Sequence, residues 1–213
     1  MREFGLNHLV TIDGVWDGLW VALEGELVAL EPLRHDHADQ LFDASRDPEI
    51  WRWLPIAAPT REELEVWVAQ SVAEGEAGRE APYATVWRRS GRAVGSTRYL
   101  TLRPEHRGLE IGWTWLQSAA WQTGANVEAK LLMLEHAFEH LGCQRVEFKT
   151  DGRNARSRAA LAALPAEFEG VLRRHMDMPY GPRDSAYYSV VGEEWPAVRA
   201  RLEERLSAKV ASA

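Results

Sequence analysis

Residues 109–138 read LEIGWTWLQSAAWQTGANVEAKLLMLEHAF. The first part alternates as a strand does, which predicts Glu110, Gly112, Thr114 and Leu116 on one face. A polar turn with one glycine, Gly124, follows and runs straight into a long helical pattern. A helix start leaves several backbone N–H groups without partners and carries a partial positive charge. A glycine just before it keeps a side chain out of the way. The pair suits a phosphate or pyrophosphate. The plainer reading is that Gly124 only permits a tight strand-to-helix turn. The stretch is not a Walker loop, which needs Gly-Lys before Ser or Thr. It also lacks the three spaced glycines of a dinucleotide fingerprint. Glu110 is a carboxylate on the strand that feeds the turn, and so a candidate general base.

The unit extends outward in both directions. RVEFKT (145–150) reads as a strand, so the helix between it and residues 108–116 predicts a right-handed parallel crossover. NARSRAALAAL follows as a helix with Asn154 as its cap and Ser157 on the same side. FEGVLRRHMDM and SAYYSVV flank PYGPRD as a hairpin, and EEWPAVRARLEERLSA closes the chain as a helix. Upstream, ELVALEPL, YATVWRR and RAVGSTRYLTL are strands. RHDHADQLFDASRD is a helix with Asp36 as its expected cap, and TREELEVWVAQSVAEG opens with the Thr60–Glu63 capping box. This order predicts an α/β (α+β) fold. Its centre is a mixed, mostly antiparallel sheet of about seven strands, flanked by helices.

The chain has 213 residues, enough for one domain with a real core. An apolar share of 46% with 27% charged residues fits a globular protein. A net charge of −7 disfavours nucleic acid, whose phosphates draw on basic surfaces. Nothing approaches the apolar length of a membrane span, and the opening residues do not form a signal peptide. The single cysteine, Cys143, makes no internal disulfide and reads as a buried structural thiol. The cytoplasm is the expected compartment.

The stretch LEIGWTWLQSAAWQTGANVEAKLLMLEHAFEHLGCQRVEFKTDGRNARSRAAL, residues 109–161, resembles the GCN5-related N-acetyltransferases (GNAT). It is most similar to the RimJ and RimL branch of ribosomal-protein N-acetyltransferases. By order of elements the similarity runs from about Leu23 to Leu206. The resemblance implies a GNAT fold whose parallel strand pair is splayed, with acetyl-CoA as co-substrate in the cleft and no metal. It places the pyrophosphate on the turn Trp121, Gln122, Thr123, Gly124, Ala125 and Asn126. It places the pantetheine arm along the backbone of Trp115, Leu116 and Gln117, held also by Asn154. Ser157 then lies near the thioester sulfur and protonates the leaving thiolate, and Glu110 acts as base through water. Two turn positions depart from the family pattern. Trp121 stands where Gln or Arg is usual, and Asn126 where Gly or Ala is usual. Pro165 stands where the following helix usually ends at glycine.

The resemblance implies two parts, an aromatic leader (1–22) and an acetyltransferase domain (23–213). Trp16 and Trp20 of the leader are expected to cover the core or to form a homodimer contact. Trp51, Trp53 and Trp67 fall in the region that walls the acceptor pocket in that family. The implied function is acetyl-CoA-dependent N-acetylation of a primary amine, either a protein N-terminus or a small molecule. Two other readings stand beside it, a non-catalytic acyl-CoA-binding protein and a zinc hydrolase. The second rests on HAFEH (136–140), which fits the H-x-x-E-H signature. Val127, Leu131, Leu134, Phe138 and Leu141 form an apolar stripe, which sets His136 and His140 on the outer face. That placement counts against a cleft-lining metal site.

Overall fold

The computed structural model describes residues 16–211. Its strands are β1 (Leu23–Glu24), β2 (Val28–Pro32), β3 (Ala81–Trp87), β4 (Arg92–Arg103), β5 (Gly108–Leu116), β6 (Arg145–Asp151), β7 (Glu167–Met178) and β8 (Gly181–Val191). Its α-helices are α1 (Ala38–Ala44), α2 (Arg61–Glu76), α3 (Ala125–Glu135), α4 (Ala155–Ala163) and α5 (Trp195–Val210). The strands make one sheet in the order β1-β2-β3-β4-β5-β6-β8-β7, with β5 and β6 its parallel pair. The mixed, mostly antiparallel sheet follows the predicted element order. It has eight strands because the two-residue β1 adds to the edge of β2.

Helices cover both faces of this sheet. On one face Leu109, Ile111, Val146 and Phe148 share a core with Ala129 and Met133 of α3 and with Leu202 of α5. On the other, Ala84, Val86 and Trp115 pack with Leu41 of α1 and with Leu64 and Val68 of α2. α2 opens with the expected capping box: Thr60 Oγ1 accepts from Glu63 N–H, and the Glu63 carboxylate accepts from Thr60 N–H. Asp36 does not cap α1. A 3-10 turn at His35–His37 precedes that helix, and Asp36 accepts from Arg34 Nε instead. α4 leaves through Leu164 in a right-handed conformation, so Pro165 needs no glycine-type cap.

Residues 1–15 of the expected leader lie outside the described residues. Packing is already established at Trp16, which belongs to the α3-side core together with Leu19. Tyr83 Oη donates to the Leu19 carbonyl at 2.9 Å, and Trp20 Nε1 to the Pro82 carbonyl at 2.6 Å. Gly75 of α2 makes room for that indole, since a Cβ there would lie 2.6 Å from the ring.

The outer face expected for HAFEH needs correction. Of the predicted stripe only Leu134 and Leu141 are fully buried, whereas Ala125, Ala129, Met133 and Ala137 face the core. α3 lies between the sheet and α5, so more than one side of it is covered. His136 is buried beneath the N-terminal segment, with Nε2 donating to the Gly18 carbonyl at 3.0 Å. Residues 136–140 form a π-helical turn. Glu139 accepts from Trp195 Nε1 and Arg199, each at 2.8 Å, and His140 is exposed. His136 and Glu139 thus serve packing, and of the two histidines only His140 keeps the expected outer face.

Candidate active site

β5 and β6 pair only over Gly108–Glu110 and Arg145–Glu147. Beyond Glu110 the two strands part, leaving a free backbone edge on each side of a cleft. Glu110 stands at the apex. It is buried, with its carboxylate 3.3 Å from Lys149 Nζ on β6 and accepting from Thr101 Oγ1 at 3.3 Å. Arg98 on the neighbouring β4 pairs with Glu80 at 2.6 Å and donates to Ser71 of α2.

The predicted shared face of β5 holds only to Gly112. Opposite this stretch the register with β4 shifts between Ser96 and Arg98, and Trp113 takes φ 50°. A bulge of this kind inserts one residue and turns the following side chains over. Gly95 on β4 allows it, for the Trp115 carbonyl approaches too closely for any side chain. Thr114 and Leu116 therefore face α3, away from Glu110. Trp113 and Trp115 face α2, where Trp67 lies 6.2 and 6.4 Å from them and Trp51 lies 5.2 Å from Trp115.

The bulge brings Thr114 onto a buried amine. Lys130 Nζ donates to Thr114 Oγ1 at 2.7 Å and to Thr97 Oγ1 at 3.4 Å, with the Phe148 ring 6.0 Å away. No carboxylate partners it among the described residues. Burial alone lowers its pKa to about 7. The motif reading missed this lysine because it lies on a helix among apolar residues with no charge partner in sequence.

Past β5 the chain makes a short 3-10 turn, then Gln122 at φ 63° and Gly124 at φ 103° bring it into α3. No side chain caps this helix. Ala125 N–H donates to Thr123 Oγ1 at 3.3 Å. The N–H groups of Gln122, Thr123, Gly124, Asn126 and Val127 find no acceptor among the described residues. They form the donor array that an anion requires. The glycine's role differs from the one read in sequence. A Cβ on Gly124 would meet Leu27, Leu206 and Lys209 at 3.1–3.5 Å, so the missing side chain admits α5 rather than a ligand.

Trp121 fills its unusual place in a specific way. Its Nε1 donates to the Leu116 carbonyl at 2.8 Å, and the Arg156 guanidinium lies 3.9 Å over its ring. Arg156 comes from α4, whose cap is Asn154: the Asn154 Oδ1 accepts from Ser157 N–H at 3.1 Å. That leaves the Asn154 amide nitrogen and the Ser157 hydroxyl without partners among the described residues. Gln117 N–H is already bonded to Val94 on β4.

Residues 28–166 match the Acetyltransferase (GNAT) domain family. The chain belongs to the GNAT family. This GNAT chain is 41% identical to an acetyltransferase-assigned protein of T. thermophilus, covering 90% of this chain and 99% of that one, at a TM-score of 0.79. It is 30% identical to a GCN5-related N-acetyltransferase from Brucella melitensis, covering 87% and 85%, at a TM-score of 0.81. It shares its fold with RimJ of Mycobacterium smegmatis, solved in complex with CoA-disulfide, at 24% identity, 83% and 88% coverage and a TM-score of 0.72. The chain is therefore an acetyltransferase, and the GNAT fold is one that binds acetyl-CoA.

Proposed function

We propose that this GNAT enzyme transfers an acetyl group from acetyl-CoA to a primary amine, on a protein N-terminus or a small molecule. The observation that carries this reading is the parting of β5 and β6 at a buried carboxylate, beside a turn with unsatisfied N–H groups. The N–H groups from Gln122 to Val127 would hold the pyrophosphate. The free edge of β5 beyond Glu110, near Trp115 and Leu116, would hold the pantetheine arm with help from Asn154. Bound there, acetyl-CoA supplies an activated acetyl group as a thioester.

The residues present suit that ligand despite the two departures. Trp121 brings no cation of its own, but it seats Arg156 over its ring at the edge of the turn. Positive charge reaches the phosphates from α4 in place of the turn itself. Asn126 remains the bulkier residue at the last position.

An amine must be neutral to attack, and alkyl and α-amines are largely protonated near neutral pH. Glu110 would take that proton, directly or through water, from the face lined by Trp67 and Trp113. Lys149 then sits ready to balance its charge. Ser157 would give a proton to the departing thiolate.

The test is Glu110→Gln, which is nearly isosteric. Acetyl-CoA should still raise its melting temperature as it does for the native protein. Turnover should fall by about 10²–10⁴-fold, the usual reach of a general base. The defect should shrink as pH rises and more acceptor is neutral beforehand. Equal rates for both proteins across neutral pH would remove Glu110 from the chemistry. A native melting curve indifferent to acetyl-CoA would remove the whole reading.

A further inference from the structure

On the Glu110 face of the sheet one buried charge has no counterion. Arg183 of β8 is only 6% exposed. Its Nε is sealed from solvent with no acceptor, and its guanidinium makes no hydrogen bond or ion pair among the described residues. A guanidinium cannot escape burial by losing its proton as an ammonium can. An unpaired buried charge is costly, so a site that keeps one usually meets an anion.

The nearby carboxylates are taken. Glu110 pairs with Lys149, and Asp151 accepts from Arg153 and from Tyr180 Oη. Side chains alternate along β8, which sets Arg183 on the same face as Ser185 and Tyr187. Ser185 Oγ lies 3.0 Å from His175 Nδ1, and the Tyr187 ring lies 5.9 Å from Lys149 Nζ. On this face Lys149 is matched by Glu110, Asp151 by Arg153 and Glu147 by Arg103 and Arg145, which leaves Arg183 without a carboxylate of its own. The pKa of His175 is lowered first by burial and then by Lys149 and Arg183, with Glu110 opposing them.

The place of Arg183 fixes the shape of what it would bind. Glu110 is level with Glu147, and Glu147 with Ser189. The Glu110 carboxylate, however, leans to Lys149, which is level with Tyr187, and from Tyr187 to Arg183 the strand advances about 13 Å, at ~3.3 Å per residue. The long arginine side chain covers only part of that span. The direction leads to the β7–β8 hairpin, where Tyr180 packs edge-on against Trp53 at 5.6 Å. An acceptor whose amine lies at Glu110 would have to be extended to reach Arg183.

We propose that Arg183 docks a carboxylate carried by an extended acceptor: a peptide whose N-terminal α-amine lies at Glu110 and whose acidic side chain follows a few residues later. This rests on the acetyltransferase reading and narrows its acceptor. Small amines without a carboxylate would leave the guanidinium unpaired.

The test measures binding of acetylated products, so it does not depend on turnover. Acetyl-capped pentapeptide amides would carry Asp or Asn at one position at a time, from the second to the fifth. A parallel set of short peptides with a free C-terminal carboxylate, against their amides, separates side-chain from terminal carboxylates. Calorimetry on the native protein should show at least tenfold tighter binding of the acid at one position or in the free-acid set. Arg183→Met should abolish that preference, and Arg183→Lys should keep part of it. No preference in either set, or a preference that survives Arg183→Met, would overturn the proposal. Melting with acetyl-CoA, run on all three proteins, checks folding and reports separately on the acetyltransferase reading. If Arg183→Met does not fold, the native and Arg183→Lys titrations decide between the same two outcomes.

Discussion

A lysine enclosed by two threonine hydroxyls and a phenyl ring does not titrate as it does in water. The pKa of Lys130 falls from 10.5 to about 7 on folding. Between those values the unfolded chain binds a proton that the folded chain does not. Stability therefore rises with pH across that window, by up to ~1.4 kcal/mol per pH unit, and its deficit is complete below about pH 7. Lys130→Met keeps most of the packing and removes the proton. Urea unfolding at several pH values from about 7 to 9 should give a rising curve for the native protein and a flatter one for the variant. Parallel curves would mean that Nζ stays hydrated. Sequence alone did not single out this burial, because its two hydroxyl partners, Thr97 and Thr114, come from other strands and Thr114 faces α3 only through the bulge. Glu110 was legible as a strand carboxylate beside a turn. Its partner was not: Lys149 meets it through the parallel pairing of β5 and β6, which brings together residues 39 apart in sequence.

At the scale of elements, α3 is fastened at its first turn by a carboxylate. Glu128 is buried and accepts from the N–H groups of Glu26, Leu27 and Val28 at 2.6–2.8 Å. One side chain thus ties the candidate anion turn to the β1–β2 hairpin. Glu128→Gln replaces an accepting oxygen with an amide that also donates, facing groups that only donate. The expected cost is about 1–3 kcal/mol in denaturant unfolding, with a loss of acetyl-CoA affinity as the turn loosens. A variant with native stability would show that the hairpin closes without this anchor. Capping chemistry is local, so the starts of α2 and α4 were legible at Thr60 and Asn154. The bulge was not, because it needs Gly95 on a neighbouring strand. The π-helical turn and the buried His136 were also hidden, since periodicity counts residues per turn and cannot see a covering segment from residues 16–20.

Across the whole molecule, the order of strands and helices carried the architecture, because short connections leave few ways to lay out such a sheet. The distribution of tryptophan shows what long-range packing adds. Trp51 and Trp67 lie far in sequence from Trp113 and Trp115, yet the rings come within 5.2–6.4 Å of one another along the cluster. Arg183 was unreadable for the same reason: its lack of a counterion is a property of the assembled face. The packing of α5 on Gly124 adds a reciprocity. Leu206 and Lys209 hold the backbone that presents the donor array, so fraying of the C-terminal helix and loss of the nucleotide draw on one coupling free energy. Acetyl-CoA should therefore slow amide hydrogen exchange in the last two turns of α5, which the proposed cleft places outside its own contacts. Exchange there that ignores the ligand would show that the backstop and the turn move independently. Linked exchange would make the chain's final helix a remote reporter of occupancy, readable without any acceptor present.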